Sequence, residues 1–125
     1  MESPSRPSER ISTPVVTFDL IRELDALRRS DSYRKNDHAS TTLVNRAGFG
    51  AVLVALPRGG HLKEHRARRG IGIHVLEGAV RLELDEGPLE LRAGQVAALA
   101  PNLRHSVSGA EDSAFLLTMG GNVRA

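Results

Sequence analysis

Five histidines, His38, His61, His65, His74 and His105, carry most of the chemical potential of this chain, which contains no cysteine. The absence of thiols excludes disulfides, cysteine nucleophiles and thiolate metal sites, so a metal would need imidazole and carboxylate ligands. In a metal-free site an imidazole serves as a general base or as a hydrogen-bond donor to an anion. Arg58, Lys63, Arg66, Arg68 and Arg69 crowd the segment around His65. Such a run can bring carboxylate or phosphate groups to a site, although charge runs are more often solvated loops, here with Glu64 in partial compensation.

The elements that must position these residues are short. A chain of 125 residues suits one domain with a real core and is too short for two. Its only aromatics are Phe18, Tyr33, Phe49 and Phe115, so the core must be aliphatic and stacking platforms for nucleic-acid bases are scarce. Seventeen basic residues against 15 acidic leave a formal charge of +2, weak support for a nucleic-acid or membrane partner. Met1 to Pro7 leads into no apolar stretch of signal-peptide length, and no run of 18 apolar residues occurs, which predicts a soluble cytoplasmic protein.

Three regions are expected. Residues 1–14, rich in Ser, Pro, Arg and Glu, read as a disordered tail. Residues 15–40 read as one amphipathic helix, with Phe18, Leu20, Ile21, Leu24 and Leu27 at helical spacing and Thr17 as N-cap, followed by a polar connection from Asp31 to Ser40. Residues 41–125 read as strands with Gly and Pro punctuation, at Thr41–Arg46, Gly50–Leu56, Ile71–Leu76, Ala79–Leu84, Leu89–Leu91, Val96–Leu99 and Ala114–Met119. Val80, Leu82 and Leu84 alternate with Arg81, Glu83 and Asp85, giving one buried and one wet face, and Asp85-Glu86-Gly87-Pro88 reads as a hairpin turn.

Two stretches carry a family's spacing. Gly59, five residues, His65, one residue, Ala67, three residues, Ile71, six residues and Gly78 keep every interval of the first cupin motif, and Val75-Leu76-Glu77-Gly78 is its habitual turn wording. Gly94, Val96, Leu99, Pro101, Asn102 and His105 resemble the second, and the 15 residues between Gly78 and Gly94 match the spacer of small bacterial members. From Gly59 to about Met119 the chain thus resembles a small single-domain cupin of the RmlC-like conserved-barrel kind. The resemblance implies an all-β, antiparallel jelly-roll barrel, here preceded by one N-terminal α-helix, commonly homodimeric, with His65 and His105 pointing into the barrel mouth.

The resemblance also implies a four-ligand metal centre, which residue-by-residue transfer places at His65, Ala67, Ile71 and His105. Two of these carry no donor atom. A divalent metal (Zn, Fe, Mn or Ni) would need a third ligand, for which His74 is the candidate, and a site with no metal is the other case. Strict alternation puts His74 on the opposite face from Ile71, at a dimer contact, whereas a bulge at Gly70 or Gly72 would turn it inward. The candidate ligand-binding residues are therefore His65, His105, His74 and Arg66, and the metal ligands His65, His105 and His74. His38 and His61 read as surface loop residues. Two functions follow: a small-molecule-binding barrel with oxygenase- or isomerase-type chemistry, or a non-catalytic module that binds a ligand or dimerises. A DNA-binding role ranks below both, because one helix before the strands does not make a helix-turn-helix.

Overall fold

The computed structural model describes residues 14–120, and among these every side chain except those of Glu64, His65 and Arg66. Nine strands follow two helices: α1 (Leu20–Arg28), α2 (Asp31–Asn36), β1 (Ala39–Arg46), β2 (Phe49–Leu56), β3 (His61–Arg66), β4 (Ile71–Glu77), β5 (Ala79–Leu84), β6 (Gly87–Arg92), β7 (Val96–Leu99), β8 (Arg104–Gly109) and β9 (Ser113–Gly120). They form two antiparallel sheets, a five-stranded one in the order β1-β2-β9-β4-β7 and a four-stranded one in the order β3-β8-β5-β6. This is the expected all-β jelly roll, with its apolar layer between the sheets.

Period-two alternation decides what each strand buries. Val54 and Leu56 of β2, Ile71, Ile73 and Val75 of β4, Val80 and Leu82 of β5, Val107 of β8 and Phe115 of β9 fill the interior. The opposite face of the five-stranded sheet is covered too: Ala51, Leu53 and Ala55 pack with Leu24, Leu20 and Leu27 of α1. That double burial makes β2 a near-continuous apolar run rather than an alternating one.

The N-terminal helix is present but begins at Leu20. Asp19, not Thr17, is its N-cap, with the carboxylate accepting from the Arg22 N–H at 3.2 Å. The polar connection expected after it contains a second helix, α2, in which the Ser30 hydroxyl accepts from the Tyr33 N–H at 3.2 Å and Asp37 ends the turn at φ 58°. No residue of α2 is buried, so no apolar stripe marked it in the sequence. Arg28 ties α1 to the barrel through Glu77 at 2.8 Å and the Ser113 carbonyl at 3.4 Å. Partial burial works against its charge, but Glu77 and Tyr33 outweigh that and hold its pKa above the ordinary arginine value.

β1 opens at Ala39, two residues ahead of the expected barrel boundary. The Asp85–Glu86 hairpin lies where expected, with Leu84 opposite Gly87. At the β4–β5 corner Gly78 has φ +72°, and a Cβ there would stand 2.1 Å from the Asp112 carbonyl oxygen. Only glycine fits. The expected tail lies outside the described residues apart from Pro14. Among the described residues no helix is long and apolar enough to cross a membrane.

Candidate functional site

One end of the barrel collects the finish of β3, the start of β8 and the four-residue link that returns the chain to β4. β3 and β8 pair antiparallel with Leu62 opposite Val107 and His65 opposite His105. Three residues separate the first pair's β3 position from the second's, against two on β8, so β3 carries a one-residue bulge. Without it, Leu62 and the His65 position would lie on opposite faces. With it, both register with the face on which His105 and Val107 point inward.

His105 is 3 % exposed. Its Nδ1 lies 3.0 Å from the Leu103 carbonyl oxygen. A carbonyl only accepts, so Nδ1–H donates, and in the neutral ring the lone pair is on Nε2. That arrangement is the one by which proteins commonly orient a ligating or basic imidazole. Beside the ring is a cavity of about 30 Å³ lined by Leu62, Lys63, Ile73, His105, Ser106 and Leu117, among others. It has room for roughly one water or one small polar group.

The two motif positions that lost their donors are built into the apolar interior. Ile71 is 6 % exposed within the interior cluster, and Ala67 packs against the same cluster while its carbonyl accepts from the Asn102 N–H at 2.7 Å. The third ligand proposed from sequence does not replace them. β4 keeps regular register with β9 from Ile71 to Val75, so no bulge inverts it there, and its burial alternates accordingly. His74 therefore sits with Gly72 and Leu76 on the outer face, opposite Leu116 and Val96, away from His105. Among the described residues no three His, Asp or Glu side chains are grouped to hold a metal. Two imidazoles fall short of the three protein ligands of catalytic zinc and of the two-His-one-carboxylate iron site. With Ala67 and Ile71 at two of them, the four motif positions do not supply the donor set of the metal centre that the fold family implies.

The basic run is divided by the fold. Arg69 lies in the link before β4, its Nη1 3.7 Å from where a Cβ on Gly50 would stand, and Lys63 is among the residues lining the His105 cavity. Arg66 pairs in backbone register with Arg104, which itself bonds Asp85 at 3.2 Å. Arg58, grouped with them in sequence, belongs to the opposite end, where its backbone N–H donates to Asp112 at 2.8 Å. His61 is exposed and opens β3 at that same end. His38 precedes β1 and contacts Asp37 at 3.2 Å.

Sequence reasoning gave no sign of a second concavity, a groove of about 530 Å³ on the outer face of the five-stranded sheet. Val15, Phe18, Leu43, Phe49, Ala51 and Leu116 are among its lining residues. Its side chains came from segments read separately as helix approach and strand, which only the packing brings together.

Two antiparallel sheets closed over an aliphatic core, with a buried histidine at one end, define a double-stranded β-helix barrel. The cupin domain model matches residues 52–119, more than half of the chain, and the protein belongs to that family. A conserved Streptococcus pyogenes protein of unknown function superposes with a TM-score of 0.66 at 19 % identity, covering 76 % of this chain and 88 % of that one. A cupin superfamily protein from Desulfitobacterium hafniense gives 0.67 at 17 %, covering 71 % and 82 %. An RmlC-like cupin from Shewanella frigidimarina gives 0.64 at 18 %, covering 70 % and 78 %. At these identities the likeness is one of fold. No curated protein matches the sequence.

Proposed function

We propose that this cupin binds a small molecule at the barrel mouth through the imidazoles of His105 and His65 directly, without a resident metal, and that it is a binding module rather than a metal-dependent oxygenase or isomerase. The observation that carries this reading is Ile71, a hydrocarbon packed into the interior at the position where the family's motif has its carboxylate ligand. Burying an uncompensated carboxylate there would be costly, and the chain has replaced it with a side chain that packs. His105 keeps the backbone-anchored orientation that recognition needs.

The experiment is a small-molecule screen on chelator-treated protein, following the backbone amide signals of His105 and Val107 by NMR. Compounds that shift both signals, with the response lost in His105→Ala, are expected. Shifts that arise only after a divalent metal is added, or no shift with any compound, would overturn the reading.

A further inference from the structure

We infer that the ligand of this mouth has an apolar body, a small ring or branched hydrocarbon, that takes the place of the Met119 side chain and carries its polar group toward the imidazoles; this rests on the mouth being the ligand site. Strand register sets out the wall that faces His105. Val52, Leu117, Ile73 and Ala97 stand side by side across β2, β9, β4 and β7. Leu117 and Ile73 of this rung line the cavity beside His105. The next inward-facing rung, two residues or roughly 7 Å nearer the mouth, is Gly50, Met119, Ile71 and Leu99. Neither rung holds a charged side chain, a hydroxyl or an amide.

A cavity of about 30 Å³ is filled by one water, so a ligand body enters only where a wall residue gives way. Ile71 and Leu99 are branched and each only 6 % exposed, which locks them in the packed interior. Met119 is partly buried, stands on the rung nearest the mouth, and is unbranched and therefore adaptable. Its Cε lies 2.9 Å from where a Cβ on Gly50 would stand, so the thioether methyl occupies a seat that exists only because position 50 has no side chain. When Met119 swings out, that seat opens next to the rung that lines the His105 cavity. What fills it meets aliphatic carbon from Ile71 and Leu99, and the matching surface is hydrocarbon.

The test is an NMR titration with two matched pairs, phenol against methanol and benzoate against acetate, which keep the polar group and add or remove the ring. The chain's only methionines are Met1 and Met119, so a methyl-labelled sample reports on the proposed seat directly, beside the backbone amide of His105. At least one ring compound should move both the Met119 methyl and the His105 amide, and should bind about tenfold or more tightly than its ringless partner. Met119→Ala, checked for cooperative unfolding, should bind that compound about threefold tighter or more, because no side chain has to be displaced. The wild-type methyl signal carries the test by itself where the variant does not fold. If methanol and acetate move His105 as strongly as the ring compounds, or if a ring compound moves His105 and leaves the Met119 methyl unchanged, the apolar-body inference falls while the mouth stays a binding site. If no compound moves His105, the reading of the mouth falls with it.

Discussion

His65 and His105 are Cα partners across the β3–β8 pair, and they are so only because a bulge lies between Leu62 and His65. One extra residue converts an odd spacing on β3 into an even one on the ladder, which puts the Leu62 and His65 positions on one face. A bulge was the device expected to turn a histidine inward. The shift in β4 lies beyond His74, between Val75 and Glu77, so the histidine whose position a bulge resets is His65, not His74.

Removing one bulge residue should therefore regularise the ladder without moving the His65 position away from His105. Deletion of Glu64 is expected to leave cooperative thermal unfolding intact, because Leu62 and Val107 remain paired in the core. His65 would then stand two residues from Leu62, as His105 stands two from Val107, so the two should stay opposite each other and the response of the His105 and Val107 amides to a bound compound should be retained. Loss of that response would show that the bulge itself, and not the pairing of His65 with His105, shapes the mouth.

Restoring the donors should restore a metal centre. In the double variant Ala67→His/Ile71→Glu, the mouth regains the four-donor set at positions that the fold brings to the His105 end. Elemental analysis after growth with zinc, iron, manganese and nickel should rise to near one metal per chain. Removing the metal should sharply destabilise the variant, since the carboxylate introduced in place of Ile71 would then be buried and unpaired. Equal occupancy in variant and parent would contradict the assignment of these positions.

The helical layer should owe its place to apolar burial more than to its ion pair. Leu24→Ala, at 4 % exposure against β2, is expected to cost about 2–3 kcal/mol in a urea melt. Arg28→Ala should cost less than about 1 kcal/mol, because Glu77 is half exposed and the pair is screened. The reverse order would mean that the Arg28–Glu77–Ser113 tie anchors the helix.

Gly78→Ala should be among the most damaging single-methyl additions. The left-handed backbone and the Asp112 carbonyl at 2.1 Å from the new Cβ together predict a loss above about 2 kcal/mol. Gly87→Ala, at φ +128° with nothing within 4 Å, isolates the backbone part of that cost and should be milder. Comparable denaturation midpoints for the two would deny the close approach at the β4–β5 corner.

The legibility of the sequence followed the chemistry. Strands that bury aliphatics on a regular period, such as β4 and β5, were readable from alternation, and the motif spacing located the family. β3 and β8 were absent from the strand reading, and they are the two strands of the site. His61, Lys63, Glu64, His65 and Arg66 leave Leu62 the only aliphatic of β3, while β8 offers Val107 alone. A strand made mostly of polar residues loses the pattern by which strands are recognised. α2 failed for the related reason that it buries nothing. The spacing of His65 and His105 was visible, but the bulge that makes them partners is a property of the ladder and leaves no mark in residue type.

The central claim is that two imidazoles work here without a metal, and metal content of the untagged protein tests it most directly, measured for wild type and His65→Ala. The account predicts less than about a tenth of a metal per chain in both, as expected for a site short of three protein ligands. Near-unit occupancy in wild type, abolished by His65→Ala, would contradict it.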